Sequence, residues 1–175
     1  MVDTGAYLIT TMVTMTLFGA SPEKYWPYTT AKCSTVAPNV NGFDTEPSAF
    51  CYVFGQNNQS INYNKLDSPG ITASNLLQQI KTYLSASLPS ISVFDESVSE
   101  GHAVVAVGYD DTKKIKNPIC GKETTGALLI RNSWGTGWGE KGYGWLPYEY
   151  ILHGQAGDFW ALLKHEYVEA NKFGL

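Results

Sequence analysis

The sequence predicts an α+β fold, and three observations carry that prediction. Helical periodicity is confined to two segments in the first half of the chain. From Ser90 onward, short apolar runs alternate with Gly-rich or charged turns, which is a strand pattern. Helices first and strands later favour segregated layers over alternating βαβ units. With 43% hydrophobic and 13% aromatic residues in 175, the chain has the apolar content of a folded domain rather than a disordered one.

Residues 5–18 read as a helix. Ala6, Ile9, Val13 and Leu17 form one apolar stripe, and Leu8, Met12 and Met15 form a second beside it. A helix apolar on both stripes is expected to be buried. Gly19 stands where a C′ glycine ends a helix. Residues 21–27 form a Pro-bounded turn, and 29–60 read as irregular. Within them, Phe50-Cys51-Tyr52-Val53-Phe54 is expected to pack inward. A second helix covers 73–85, with Leu76, Leu77, Ile80 and Leu84 on one face and Thr72 or Ser74 as cap.

Strands are expected at 90–95, 102–109, 127–133, 143–150 and 159–168. The run His102 to Tyr109 is apolar on both faces, so it is expected to be central and covered on both sides. Pro147 has no amide donor, which places its strand at a sheet edge. Lys113, Lys114 and Lys116, after Asp110-Asp111, read as a solvated loop between strands.

Composition narrows the function. A net charge of −4 and a pI near 5.3 argue against nucleic-acid binding, which needs a basic face. The most apolar run, from Gly5 to Ala20, is shorter than the roughly 20 residues a bilayer requires, so no membrane partner is expected. Its flank carries no Lys or Arg, so no cleavable signal is expected either. Cys33, Cys51 and Cys120 show no C-x-x-C spacing, and His153 and His165 have no ligand spacing, so neither a metal nor a cofactor is implied.

One stretch is too unusual for an ordinary core. From Arg131 to Trp145, glycines and three tryptophans crowd the end of a strand. Glycines permit tight turns, and the indoles can shield a polar contact from water. His102 begins one apolar strand and Asn132 ends another. If those strands pair antiparallel, both side chains meet at one end of the sheet. The Asn amide oxygen could then fix the imidazole's tautomer and orientation for acid–base work.

The runs Gly101-His102-Ala103-Val104-Val105-Ala106-Val107-Gly108-Tyr109, Asn132-Ser133-Trp134-Gly135 and Trp138-Gly139 resemble the His and Asn regions of papain-like cysteine peptidases. The resemblance extends to Gly142-Tyr143, the closing strand from Phe159, and upstream to Gly5-Ala6-Tyr7 and Tyr25-Trp26-Pro27-Tyr28. It implies residues 1–58 as part of a helical subdomain with an irregular loop, and 59–175 as an antiparallel, β-barrel-like subdomain. It implies His102 as general base and acid, with Asn132 orienting the ring. Trp134 would shield their hydrogen bond and Trp138 would line the leaving-group side. Gly5, Ala6, Gly101, Phe159 and Trp160 would border a peptide or protein substrate.

The resemblance also implies a thiolate nucleophile, and in papain-type enzymes this Cys lies about 130–150 residues before the His and Asn. Counting back from His102 places it roughly 30–50 residues before Met1. The expectation is therefore a truncated chain, inactive by itself, whose partner is an upstream Cys-bearing segment. An apolar patch on the helix 5–18 is expected to be left exposed. The bridge from Asp95 to Glu100 is short for this family and sets carboxylates near His102 in sequence. The alternative is a non-catalytic papain-like module that binds peptides or proteins.

Overall fold

The structure is a computed structural model and describes residues 7–29, 42, 44–87, 90–94 and 101–165. By compactness the chain divides into Met1–Asn62 with Lys164–Leu175, and Tyr63–Leu163.

The first unit contains helices α1 (Leu8–Leu17) and α2 (Ala49–Gln56). In α1 only the second stripe enters the core, through Leu8 and Met12. Ile9 is 38% exposed and Leu17 58%, so the expected burial of both stripes is corrected. The neighbours within this unit reach the C-terminal end of α1. Gln59 donates to the carbonyls of Thr16 and Leu17, and Asn58 donates to that of Ala20. Phe18 meets Tyr52 edge-on. Gly19 has φ +70°, as a helix-terminating glycine should. It has a second reason to be Gly: a Cβ there would collide with the Gly55 carbonyl.

The aromatic run 50–54 is a helix, not part of an irregular segment. It packs inward only in part: Cys51 is buried, while Phe50 and Val53 face solvent. The thiol of Cys51 lies 3.4 Å from Ser48 Oγ and 3.7 Å from the Tyr25 carbonyl.

The second unit is built on a sheet of order β1-β6-β2-β3-β4-β5. Its strands are β1 (Ser60–Lys65), β2 (Ser90–Phe94), β3 (Ala103–Lys116), β4 (Glu123–Arg131), β5 (Tyr143–Pro147) and β6 (Ala156–His165). The pairings β2–β3, β2–β6, β3–β4 and β4–β5 are all antiparallel. The barrel-like expectation is corrected to an open sheet, and β5 with its Pro147 is an edge as expected.

Helix α3 (Ala73–Ser85) has the expected bounds and packs on β3 and β2 and against the single turn α4 (Glu149–Leu152). The Thr72 hydroxyl caps it by accepting from the Asn75 amide, a contact worth about 1 kcal/mol. Leu76, Ile80 and Leu84 enter the core, each contributing about 1.5–3 kcal/mol. They meet Val104, Ala106, Leu128, Ile130, Leu146 and Phe159 there.

Strand β3 is central in the sheet but covered on one face. Val104 and Ala106 are buried, whereas Val107 faces solvent. The expectation of two-sided cover is corrected, because α3 lies on one side only. The lysine run is also strand rather than loop. Lys114, Ile115 and Lys116 pair with Thr125, Thr124 and Glu123, and Lys113 lies over the Trp145 ring.

An ionic contact ties α3 to the hairpin. Lys81 Nζ lies 2.7 Å from Asp111 Oδ1, and the Tyr148 hydroxyl donates to the same oxygen at 2.8 Å. These two donors, Lys81 first, hold the Asp111 carboxyl below the usual range. A folded-state pKa below the unfolded value of about 3.9 gives stability that is present above that value. It is lost as pH falls through the folded pKa. Asp111→Asn is therefore expected to lower the urea midpoint at pH 6, with a deficit that shrinks steadily as pH is taken below the ordinary carboxylate range. A deficit that does not change with pH would reject the ionic account.

Candidate active site

The β3–β4 register sets up the site. Val105 pairs with Arg131 as the last pair of the ladder, so the start of β3 and the end of β4 lie side by side. His102 immediately precedes β3 and Asn132 immediately follows β4. The structure brings the two together: His102 Nε2 and Asn132 Oδ1 are 2.8 Å apart. An amide oxygen only accepts, so Nε2 is the nitrogen that donates here, and Nδ1 is left as the ring nitrogen available for proton exchange.

Asn132 is the one buried polar residue of the described core, at 8% exposure. Its backbone amide donates to the Gly142 carbonyl at 2.9 Å, which closes the glycine-rich turn back onto the strand end. Gly142 was singled out in the sequence only as part of a motif; its carbonyl is the atom that holds Asn132 in place. The turn is further pinned by a bridge between Glu140 and Tyr143. Gly139, at φ +53°, allows it, since a Cβ there would collide with the Tyr143 carbonyl.

Trp134 lies over the imidazole, with ring centroids 4.7 Å apart and an angle of 32°. Its outer face is open, at 61% exposure. Trp138 stands perpendicular to Trp134 at 6.0 Å and packs against the core. A polar pair under an indole is sheltered from competing water, which strengthens its hydrogen bond.

The other sequence-derived positions fall differently. Gly101 is exposed beside His102. Phe159 and Trp160 are buried, and the Trp160 indole N–H donates to Asp158 at 2.8 Å. Gly5, Ala6, Cys33 and the acidic bridge 95–100 lie outside the described residues. Cys120 sits in the turn joining β3 to β4, at the opposite end of β3 from His102. A strand of 14 residues at about 3.3 Å each sets that thiol some 40 Å away along the hairpin.

Comparison with known proteins gives one consistent match. The family model for papain family cysteine proteases matches residues 4–152. A peptidase C1-like protein of Acanthamoeba polyphaga mimivirus is 26% identical over 91% of this chain and 52% of its own length. Cysteine proteinase 1 of Entamoeba histolytica is 32% identical over 71% of this chain and 36% of its own. Xylellain, a cysteine protease from Xylella fastidiosa, superposes with a TM-score of 0.63 at 29% identity, covering 91% of this chain and 62% of that one. The chain thus spans about half the length of the mimivirus relative and about a third of the amoebal one.

Proposed function

Because the chain belongs to the papain family of cysteine proteases, we propose that it supplies the His–Asn half of a peptide-bond hydrolase. The observation that carries this reading is the 2.8 Å contact between His102 and Asn132 beneath Trp134. The orientation of the ring leaves Nδ1 to exchange protons with a thiol, while Asn132 holds Nε2–H.

The chemistry then follows. Nδ1 takes the thiol proton, and the resulting imidazolium depresses the thiol pKa to about 3–4. The thiolate attacks the peptide carbonyl. His102 returns the proton to the leaving amine, and a thioester forms. Water then attacks the thioester with His102 as base, which releases the acid and restores the thiol. Trp134 keeps bulk water from the His–Asn bond throughout, and Trp138 lines the leaving-group side. Gly101, exposed beside His102, borders the extended peptide or protein substrate, whereas Phe159 and Trp160 are buried in the core and do not line it.

We assign the nucleophile to a Cys-bearing segment upstream of residue 1. The described cysteines are consistent with this: Cys120 is at the far end of the hairpin from His102, and the Cys51 thiol is buried, with Ser48 Oγ and the Tyr25 carbonyl as its contacts. Residues 1–175 assayed with a fluorogenic peptide panel and a thiol reductant are expected to stay at the buffer background. The reading frame extended upstream to include the Cys element is expected to turn substrate over. Thiol-dependent turnover by residues 1–175 that disappears in Cys51→Ala would sink the assignment. An extended chain that binds peptides without cleaving them would favour the non-catalytic binding module instead.

A further inference from the structure

We propose that Gly144 is a positioning residue for His102, acting through the two indoles. The proposal rests on the reading of His102 as the acid–base group. Gly144 lies in β5 opposite Ile130 of β4, and its φ is not among the positive values, so the backbone conformation does not require glycine there. Space does. A Cβ at Gly144 would lie 2.8 Å from Cη2 and 3.2 Å from Cζ3 of Trp138, and 3.8 Å from Ile130 Cγ1. The missing side chain is thus the seat of the Trp138 ring.

From that seat a short series of ring contacts reaches the imidazole. Trp138 meets Trp134 edge-on at 6.0 Å and 88°, and Trp134 covers His102 at 4.7 Å. Trp134 is largely solvent-exposed, so its position depends on the few groups that touch it, and Trp138 is one of them. The Gly144 backbone has little room to yield, because β5 is hydrogen-bonded to β4 across five residue pairs. A methyl group at 144 is therefore relieved by displacing the far edge of Trp138, which disturbs Trp134 and uncovers the ring below. The catalytic role of Gly144 is indirect. The atoms nearest its absent side chain belong to Trp138 and Ile130, not to the imidazole.

The test reads His102 directly, without turnover. A stacked indole shifts the imidazole ring protons upfield through its ring current, and the exposed His153 serves as an internal reference. In the 175-residue chain, the His102 ring-proton signals are expected upfield of those of His153. In Trp134→Ala that displacement should vanish. Gly144→Ala should lose at least half of it, and Gly144→Ala with Trp138→Phe should regain it, because the smaller ring vacates the contested space. If Gly144→Ala does not fold, Gly144 is kept and Trp138→Leu reads the same link from its other side, with loss of the displacement expected. A melting temperature lowered in Gly144→Ala, with the His102 signals unmoved, would overturn the proposal. So would unmoved signals in Trp138→Leu. Turnover in the extended chain tests the acid–base reading separately, so failure of either claim can be told from failure of the other.

Discussion

Replacing His102 by alanine is expected to lower kcat/KM by about four to six orders of magnitude in a preparation that contains the nucleophilic cysteine. The loss is large because the imidazole acts twice. It creates the thiolate before attack, and it delivers the proton that the leaving amine needs. Without it the thiol returns to an ordinary pKa near 8.5 and the amine must leave unprotonated. Asn132→Ala is a smaller lesion of a different kind. The ring survives, but the 2.8 Å contact that sets its rotation is gone and Nε2–H loses its buried acceptor. A misplacement of about 1 Å costs on the order of 10²-fold, so kcat should fall by about that factor with KM nearly constant. Asn132→Asp retains an acceptor for Nε2–H and should recover part of the loss, with the carboxylate favouring the imidazolium and moving the profile to higher pH. The measurement is kcat and KM across pH for the three variants. A drop in Asn132→Ala as deep as that of His102→Ala would mean that Asn132 does more than orient the ring.

The site was readable in the sequence because each half carries a local signature. A His opening an apolar strand and an Asn closing another can meet if the strands pair antiparallel, whereas the glycines and indoles after Asn132 taken alone fit a capping loop equally well, and it is their pairing with His102 that points to a site. Helix α3 was equally legible, since its apolar face repeats at helical spacing and Thr72 marks its start. What stayed hidden depended on tertiary context. The run 50–54 is aromatic and β-branched, which favours extended structure locally, yet it is helical where Tyr25 packs on Phe50 and Phe54. Strand β1, SINYNK, alternates only Ile61 and Tyr63 with polar residues, a pattern too short to stand out from the Asn-rich loop before it. The lysine-rich end of β3 looked like a loop because its cross-strand partners, Glu123 to Thr125, are polar as well. The first stripe of α1 suggested burial, but periodicity reports what a helix could bury and not whether a neighbour is there to cover it.

Phe159→Ala is expected to be the most destabilising single core substitution, at about 3–5 kcal/mol. The ring is fully buried, at 0% exposure, and heads the largest buried side chains of the described core. Its backbone is anchored as firmly as its ring. The Phe159 carbonyl accepts from the Leu66 amide at 2.8 Å, and its amide donates to Asp67 Oδ1 at 3.1 Å. Asp67 Oδ2 takes the Asp158 amide at 2.7 Å, so one carboxylate holds two successive amides of β6. With so many anchors the strand cannot move in to fill the void, and a cavity that fails to collapse keeps its full penalty. Domains of this size have total stabilities of about 5–15 kcal/mol, so the substitution removes a large share. At a urea m-value of about 2 kcal/mol/M, the midpoint should fall by roughly 1.5–2.5 M. Phe159→Leu fills most of the volume and should lose less than half as much. Tryptophan fluorescence follows both, since Trp134, Trp138, Trp145 and Trp160 all belong to the Tyr63–Leu163 unit. Equal midpoints for the alanine and leucine variants would mean that the cavity is not what the substitution costs. The backbone hydrogen bonds to Leu66 and Asp67 would then be the place to look.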